Sequence, residues 1–357
     1  MNANLRAGEA FLSISSLSEK DPFWWASLSD EELLTLRLRD LNLQITGTVL
    51  ESRIAKVLEE LRAVDLDFNP HFWLSDEWFC ADGIPGVAIP FYLAHPRLER
   101  LERSQLFEVE GGDEEWCLKI LRHELGHAIE NAYRLRLRKE RRAIFGKSSE
   151  PYPEYYSPRP YSKSFVLHLD PWYGQSHPDE DFAETFAVWL TPNSQWRERY
   201  AGWPALKKLA YMDSLMKSLR GKPPPIVNPK ELDPISKMSK TLGSHYAKRK
   251  AKYGKEHPSF YDKDLRGLFS ADEAFVKNAT AASLIHRKRK LIRATVSRWT
   301  GAYQYTIDQV LDAITQRCSE LNLRITCGEE EAIKQFTVLL TVQTMNYLHS
   351  GRHRVAL

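Results

Sequence analysis

The sequence predicts an α+β fold, with a small mixed sheet and one long helix in its first part and a mostly helical C-terminal region. Three observations carry this. FNPHFWLSDEWF and GVAIPFYLAH, residues 68–79 and 86–95, have the composition of two β-segments joined by the turn ADGIPG. The run around His123–His127 repeats apolar residues at helical spacing for about two turns on either side. Helical patterns then occupy Ser194 to Leu219 and, predominantly, Ala271 to the C-terminus.

In chain order, a polar arm (1–30) leads into SDEELLTLRLRDL, where Ser29 and Glu32 form a capping-box start. LNLQIT, residues 41–46, alternates as a strand, and Val49–Leu61 has helical periodicity. The two β-segments and the His123 helix complete an α+β lobe, and a domain is expected over 31–220. The proline cluster GKPPPIVNP (221–229) ends helical structure, so the main boundary is placed there, with a Pro-rich and basic connector over 221–260. The helical region is 261–357. LNLRIT at 321–326 echoes LNLQIT, and a true repeat would let the C-terminal segment add a strand to a sheet.

The chemistry is concentrated in HELGH. Residues four apart share one face of an α-helix, so the imidazoles of His123 and His127 can reach one zinc ion, with Glu124 beside it as a general base for the metal-bound water. On a helical wheel Trp116, Ile120 and Glu130 lie near the histidines. Leu118, Leu121, Leu125, Ile129 and Ala132 fall opposite, so one face meets a core and the other a site. Asp113, Glu114 and Glu115 suit the positive end of the helix dipole.

A catalytic zinc usually takes three protein ligands. The extended pattern HExxHxxGxxH fails, because Glu130 and Tyr133 stand where Gly and His are required. The best source is HPDEDFAETFAVWL (177–190), a helical pattern with Ser176 and Asp179 at its start. Glu180 and Glu184 share one side of it, and Phe182, Phe186 and Trp189 the other. Glu180 is assigned as the ligand and Glu184 as the acceptor for a histidine N–H, although spacing alone allows the exchange.

At these residues the chain resembles the gluzincin metallopeptidases, with HExxH followed by ExxAE. The likeness is particularly to bacterial zinc-binding metallopeptidases and to anthrax-lethal-factor-like catalytic domains. It covers roughly residues 110–192. The resemblance implies a zincin-like catalytic domain, one Zn2+ ion, zinc ligation by Glu180 with Glu184 in support, and an oxyanion donor at Tyr173, seven residues ahead of Glu180. His177 is the alternative oxyanion donor. It also implies a sheet-edge strand that pairs with substrate backbone, for which Val87–Leu93 is the candidate. The 53-residue step from His127 to Glu180 exceeds the thermolysin-type gap. The excess includes EPYPEYYSPRPYSKSF (150–165), an extended Tyr- and Pro-rich surface loop beside the cleft.

Composition sets the frame. A 357-residue chain with 43% apolar residues and net charge +3 is a globular protein without general attraction to nucleic acid. No apolar run approaches membrane-spanning length and the N-terminus lacks a signal-peptide pattern, so a cytoplasmic location and no membrane partner are expected. Cys80, Cys117, Cys318 and Cys327 lack CxxC pairing and read as free thiols. His95, His168 and His177 are isolated and read as surface or hydrogen-bonded core residues. Between Lys230 and Arg298 seventeen Lys and Arg face seven Asp and Glu, mostly a solvated surface. The expected activity is hydrolysis of a peptide, protein or small amide. The alternative is a regulatory protein that keeps the scaffold with a structural zinc and binds a partner through the basic segment.

Overall fold

Ser29 starts the first helix, α1 (Asp30–Thr35), with reciprocal bonds: its hydroxyl accepts from the Glu32 amide at 3.2 Å, and the Glu32 carboxylate accepts from the Ser29 amide at 2.9 Å. The structure, a computed structural model, describes residues 23–153, 155–156, 159, 162–169, 172–253, 262–349 and 355–356. Most of the N-terminal arm and part of the basic connector therefore lie outside the described residues. Within the arm, Trp25 is fully buried and its indole N–H donates to the Leu41 carbonyl at 3.0 Å.

That contact also bears on the expected strand at 41–46, which does not form. Leu38–Leu41 is a single 3-10 turn that ends at Asn42 in the left-handed region (φ 50°). Left-handed backbone breaks an extended run, and among the described residues no strand pairs with it. The alternation instead places Leu41 in the core with Leu43 and Ile45 packed against it. Helix α2 (Val49–Ala63) comes next, as expected.

The two β-segments form as β1 (His71–Ser75) and β2 (Gly86–Pro90), paired in parallel with His71 opposite Gly86. The connection returns by a tight loop in which Phe79 bridges Ala88 antiparallel, with Ala88 donating to Phe79 at 2.9 Å. Every residue of β2 is buried. Val87–Leu93 is consequently not an open edge: Phe79 occupies its outer side at Ala88, and the strand stops at Pro90, where the chain winds into a 3-10 turn over Phe91–Ala94. The parts of this region that border the cleft are Asp76–Trp78 and, from the stretch after β2, Tyr92.

Helix α3 (Pro96–Leu106) leads to α4 (Glu114–Ala132), which carries HELGH and is capped by Asp113 accepting from the Trp116 amide at 2.8 Å. Then come α5 (Lys139–Phe145), the two-residue strand β3 (Tyr155–Tyr156), α6 (Pro178–Leu190), α7 (Trp196–Arg199) and α8 (Ala205–Leu219). The start of α6 differs from expectation in one detail: the cap is His177 Nδ1, which accepts from the Asp179 amide at 3.1 Å, and not Ser176.

The Pro-rich run does not leave this lobe. Side chains of the β1 strand hold the chain on its far side: the His71 ring, the Trp73 indole N–H and the Ser75 hydroxyl donate to the carbonyls of Lys230, Leu232 and Asp233 at 3.0, 2.9 and 2.7 Å. Ile235, and Leu242 and Tyr246 of α9 (Leu242–Tyr253), then join the first core. A second core begins only at Leu265 and gathers α10 (Asp262–Leu268), β4 (Phe269–Ser270), α11 (Ala281–Thr300), α12 (Gln304–Glu320), β5 (Arg324–Ile325) and α13 (Glu329–His349). The change between cores therefore comes later than the break at 221–229. LNLRIT supplies β5, which pairs with β4 of its own lobe and not with β1–β2. A last short strand, β6 (Val355–Ala356), pairs with β3. The whole is mostly helical with small two-stranded sheets, an α+β composition. Among the described residues no helix is long and apolar enough to cross a membrane.

The two helices that bear the site meet at Gly126. A Cβ placed there would stand 2.8 Å from Ala183 Cα and 3.1 Å from its carbonyl oxygen, so the close approach of α4 and α6 needs glycine. In an unconstrained helix Gly→Ala gains roughly 1 kcal/mol. Here the added methyl meets backbone that cannot rotate away. Gly126→Ala is expected to lose about 1–3 kcal/mol in urea unfolding monitored by circular dichroism.

Candidate metal centre and cleft

Helix α4 is buried on all sides from Ile120 to Ala132, so its histidines face another part of the protein and not solvent. What they face is the first turn of α6. Glu180 Oε2 lies 3.0 Å from His123 Nε2 and 3.2 Å from His127 Nε2, and the two imidazole nitrogens are 3.2 Å apart. Donors placed tetrahedrally about 2.0–2.1 Å from zinc stand about 3.3–3.4 Å from one another. The triangle is within a few tenths of an ångström of that size, and the buried group His123, His127 and Glu180 can hold a metal ion. Two nitrogen acceptors pointed at one carboxylate oxygen fit a central cation.

Glu184, one turn further along α6, takes a separate task. Its Oε1 accepts from His123 Nδ1 at 2.8 Å and its Oε2 from the Leu169 amide at 2.9 Å. When the ring is neutral, as a metal ligand must be, a carboxylate on the far ring nitrogen fixes the tautomer in which Nε2 presents its lone pair inward. The structure thus brings His123, His127, Glu180 and Glu184 together, with the carboxylates in distinct positions that spacing alone left exchangeable.

The charges are strongly coupled. Burial opposes ionisation of His123, but hydrogen bonds and charge from Glu180 and Glu184 outweigh it and hold the imidazole well above its usual pKa. Burial likewise opposes the Glu180 carboxylate, and His127 and His123 overcome it, keeping Glu180 well below the usual range. Glu124 is pushed upward by burial, with the two histidines pulling the other way. Its Oε2 is buried and has no hydrogen-bond partner among the described residues, an expensive arrangement for a carboxylate. Glu124 lines the cleft beside His123.

Tyr173, in a 3-10 turn just before α6, sits over the site with its ring centroid 5.5 Å from that of His123. Burial and the neighbouring Glu180 and Glu124 hold its phenol well above the usual value, so it is a proton donor. His177 does not offer the same service. Its Nδ1 caps α6 and its Nε2 donates to the Glu150 carbonyl at 2.9 Å, so both ring nitrogens are engaged. His95 caps α3 in the same way. His168, one of the isolated histidines, lines the cleft with Nε2 donating to the Lys119 carbonyl at 2.9 Å, and burial keeps its pKa low.

An ion network sets the position of α6, the helix that presents Glu180. Arg141 is fully buried and donates to Glu130 of α4 at 2.7 Å, to Asp179 of α6 at 2.6 Å and to the carbonyl of Gly146 at 2.8 Å. Arg136 also reaches both carboxylates. Breaking such a buried network by removing one partner typically costs several kcal/mol. Glu130, which sits where a metzincin has glycine, is thus the α4 end of this clamp.

The cleft measures about 740 Å³ and runs along the N-terminal half of α4. One border is Asp76–Trp78. The other is the corner between α11 and α12, at Ser297, Arg298 and Gly301–Gln304, so the C-terminal lobe completes the cavity. The lobes are joined at Phe107, a left-handed residue (φ 66°) ending α3. Its ring stacks on Tyr305 at 6.2 Å under the Arg293 guanidinium at 3.8 Å, and the adjacent Glu108 accepts from the Gln304 amide at the start of α12. That carboxylate meets the positive end of the helix. No sequence motif marked this contact.

Much of the basic excess is consumed inside the fold. Arg249 pairs with buried Glu102, Lys240 with Asp76, and Arg289 and Arg293 with Asp308. Arg287, Lys288 and Lys290 stay exposed on α11. All four cysteines are free, with Cys117 and Cys318 buried. No protein-family model, curated protein or solved structure matches this chain.

Carboxylates dominate the cleft wall. Burial, opposed by Arg249 and reinforced by Glu108, Glu102 and Glu124, raises Glu110 to about 7. A carboxylate raised in the folded state binds protons more tightly there than in the unfolded chain, so its stabilising effect is complete below about pH 4.5 and is lost as pH rises through about 7. With metal removed by chelator, Glu110→Gln is therefore expected to match the parent at pH 4. At pH 8 it should exceed it by on the order of 1–2 kcal/mol in urea unfolding, after discounting for partial exposure.

Proposed function

We propose that this chain is a zinc-dependent peptide hydrolase of the gluzincin type, with a zincin-like first lobe. The observation that carries the proposal is the unpartnered Glu124 Oε2, buried beside a three-donor metal group at the wall of an open cleft. A structural metal site is normally closed by four protein ligands and needs no neighbouring base. Three donors with a free carboxylate next to them are the composition of a catalytic site.

His123, His127 and Glu180 would hold the metal, and their two-nitrogen, one-carboxylate set suits zinc. A bound zinc ion supplies a Lewis acid that polarises a carbonyl and lowers the pKa of a coordinated water to about 7. Everything else comes from the chain. Glu124 accepts the proton of the attacking water and delivers it to the leaving nitrogen, so no covalent acyl-enzyme forms. Tyr173 donates its phenol proton in a hydrogen bond to the oxyanion that develops at the carbonyl. Glu184 keeps His123 in the correct tautomer throughout. The α11–α12 corner narrows the cleft around an extended segment, and with Asp76 paired to Lys240 and Arg249 to Glu102, the carboxylates Glu77, Glu110, Asp113 and Glu115 against Lys119 and Arg298 favour cationic over anionic peptides.

Zinc-loaded protein incubated with a proteome-derived peptide library, read by mass spectrometry, tests the reading. Glu124→Gln should retain one zinc and lose hydrolysis by about 10²–10⁴-fold. Zinc-dependent function that survives this substitution would favour the alternative, a partner-binding protein with a structural ion. Tyr173→Phe is expected to lower kcat by about 10²–10³-fold with KM little changed, measured on whichever peptide the library identifies.

A further inference from the structure

One side chain in the site was not marked by any motif. Tyr152 lies in the Tyr- and Pro-rich segment, and its hydroxyl donates to Glu180 Oε1 at 2.8 Å. The two oxygens of Glu180 are thereby divided. Oε2 faces His123 and His127, and Oε1 faces Tyr152.

The phenol is held in place by its surroundings. Its ring stacks on His177 with centroids 3.7 Å apart and planes 16° from parallel. The His177 ring is itself immobilised, with Nδ1 capping α6 and Nε2 donating to the carbonyl of Glu150, two residues before Tyr152. Pro151 and Pro153 flank the tyrosine and restrict the backbone on both sides. One imidazole therefore caps the helix that presents Glu180, anchors the loop and supports the ring. About half of Tyr152 remains exposed, so it contributes little to the core and its position serves the carboxylate.

We propose that Tyr152 is a positioning residue for Glu180: its hydroxyl holds Oε1 away from the histidines, so that a metal ion bound with His123 and His127 receives a single, pre-oriented oxygen. This rests on the proposed metal site and extends it. A carboxylate free to turn could offer both oxygens and fill the position that a catalytic site keeps open. Hydrogen bonds to ligating carboxylates are worth about 10–100-fold in metal affinity.

The test uses the full chain and zinc or cobalt ions alone. Tyr152→Phe keeps the ring on His177 and removes only the donor, and Tyr152→Ala removes both. The expected result is Tyr152→Phe protein that is folded and unfolds cooperatively when metal-free, with zinc affinity weaker by about tenfold in competition with a chromogenic chelator, and a Co2+ visible spectrum altered in intensity. Tyr152→Ala should bind zinc no better than Tyr152→Phe. Parent-like affinity and a superimposable Co2+ spectrum in Tyr152→Phe would overturn the proposal, as would a defect confined to Tyr152→Ala, which would show packing alone. These readouts are independent of hydrolysis. A parent protein that binds zinc but cuts nothing defeats the peptidase reading while the Tyr152 result stands, and a parent that takes up neither ion overturns both.

Discussion

The site depends on the close packing of two helices that each carry part of it. Neither α4 nor α6 holds a metal group alone: two imidazoles come from one and the carboxylate from the other. Gly126 allows their backbones to approach, and the buried Arg141 fixes their relative position through Glu130 and Asp179. The arrangement is a balance of large terms. Burying Arg141, Glu130 and Asp179 is costly unless each is paired, and Arg141 with the half-buried Arg136 neutralises both carboxylates. Glu180 comes directly after Asp179, so the clamp acts one residue from the proposed ligand.

The same economy explains the outer contacts. Glu184 secures His123 from behind, His177 caps the ligand helix, and Tyr152 stacks on His177 to reach the other oxygen of Glu180. These groups have no metal-binding geometry of their own. Their effect is to remove rotational freedom from the three donors, which would lower the ordering cost of binding a cation. Glu124 is the exception: its Oε2 is left without a partner in a buried place. That unpaired carboxylate is the feature on which the proposed catalytic role rests.

The C-terminal lobe is more than an appendage. Its own core is separate, yet the α11–α12 corner forms a side of the cleft and Phe107, Glu108, Arg293 and Tyr305 join the lobes beside it. Burial is the main cause of the raised Glu110 pKa, with Glu108, Glu102 and Glu124 of the first lobe adding to it. The C-terminal lobe contributes to the shape of the cleft and adds Arg298 to its wall.

The local sequence was sufficient for the histidine pair, for α2, for the capping box at Ser29 and for the two β-segments, because each depends on spacing along a single element. Helical periodicity also put Glu180 and Glu184 on one side of α6, although it could not distinguish their tasks. That distinction depends on which ring nitrogen each oxygen meets across 57 or 61 residues. The alternation in LNLQIT failed as a strand signal for the same reason: a strand needs a partner, and tertiary contacts gave Leu41 to Trp25 and the core instead. The Pro-rich break signalled an end to helix but not to the lobe, since hydrogen bonds from β1 hold the chain beyond it. Composition flagged the Tyr- and Pro-rich segment that holds Tyr152 but not that residue's task, and Arg141 and the Phe107 junction carried no local signature. Spacing along one helix was determined by sequence, whereas every contact between elements was decided by the tertiary fold, because only packing brings distant side chains to within a hydrogen bond of one another.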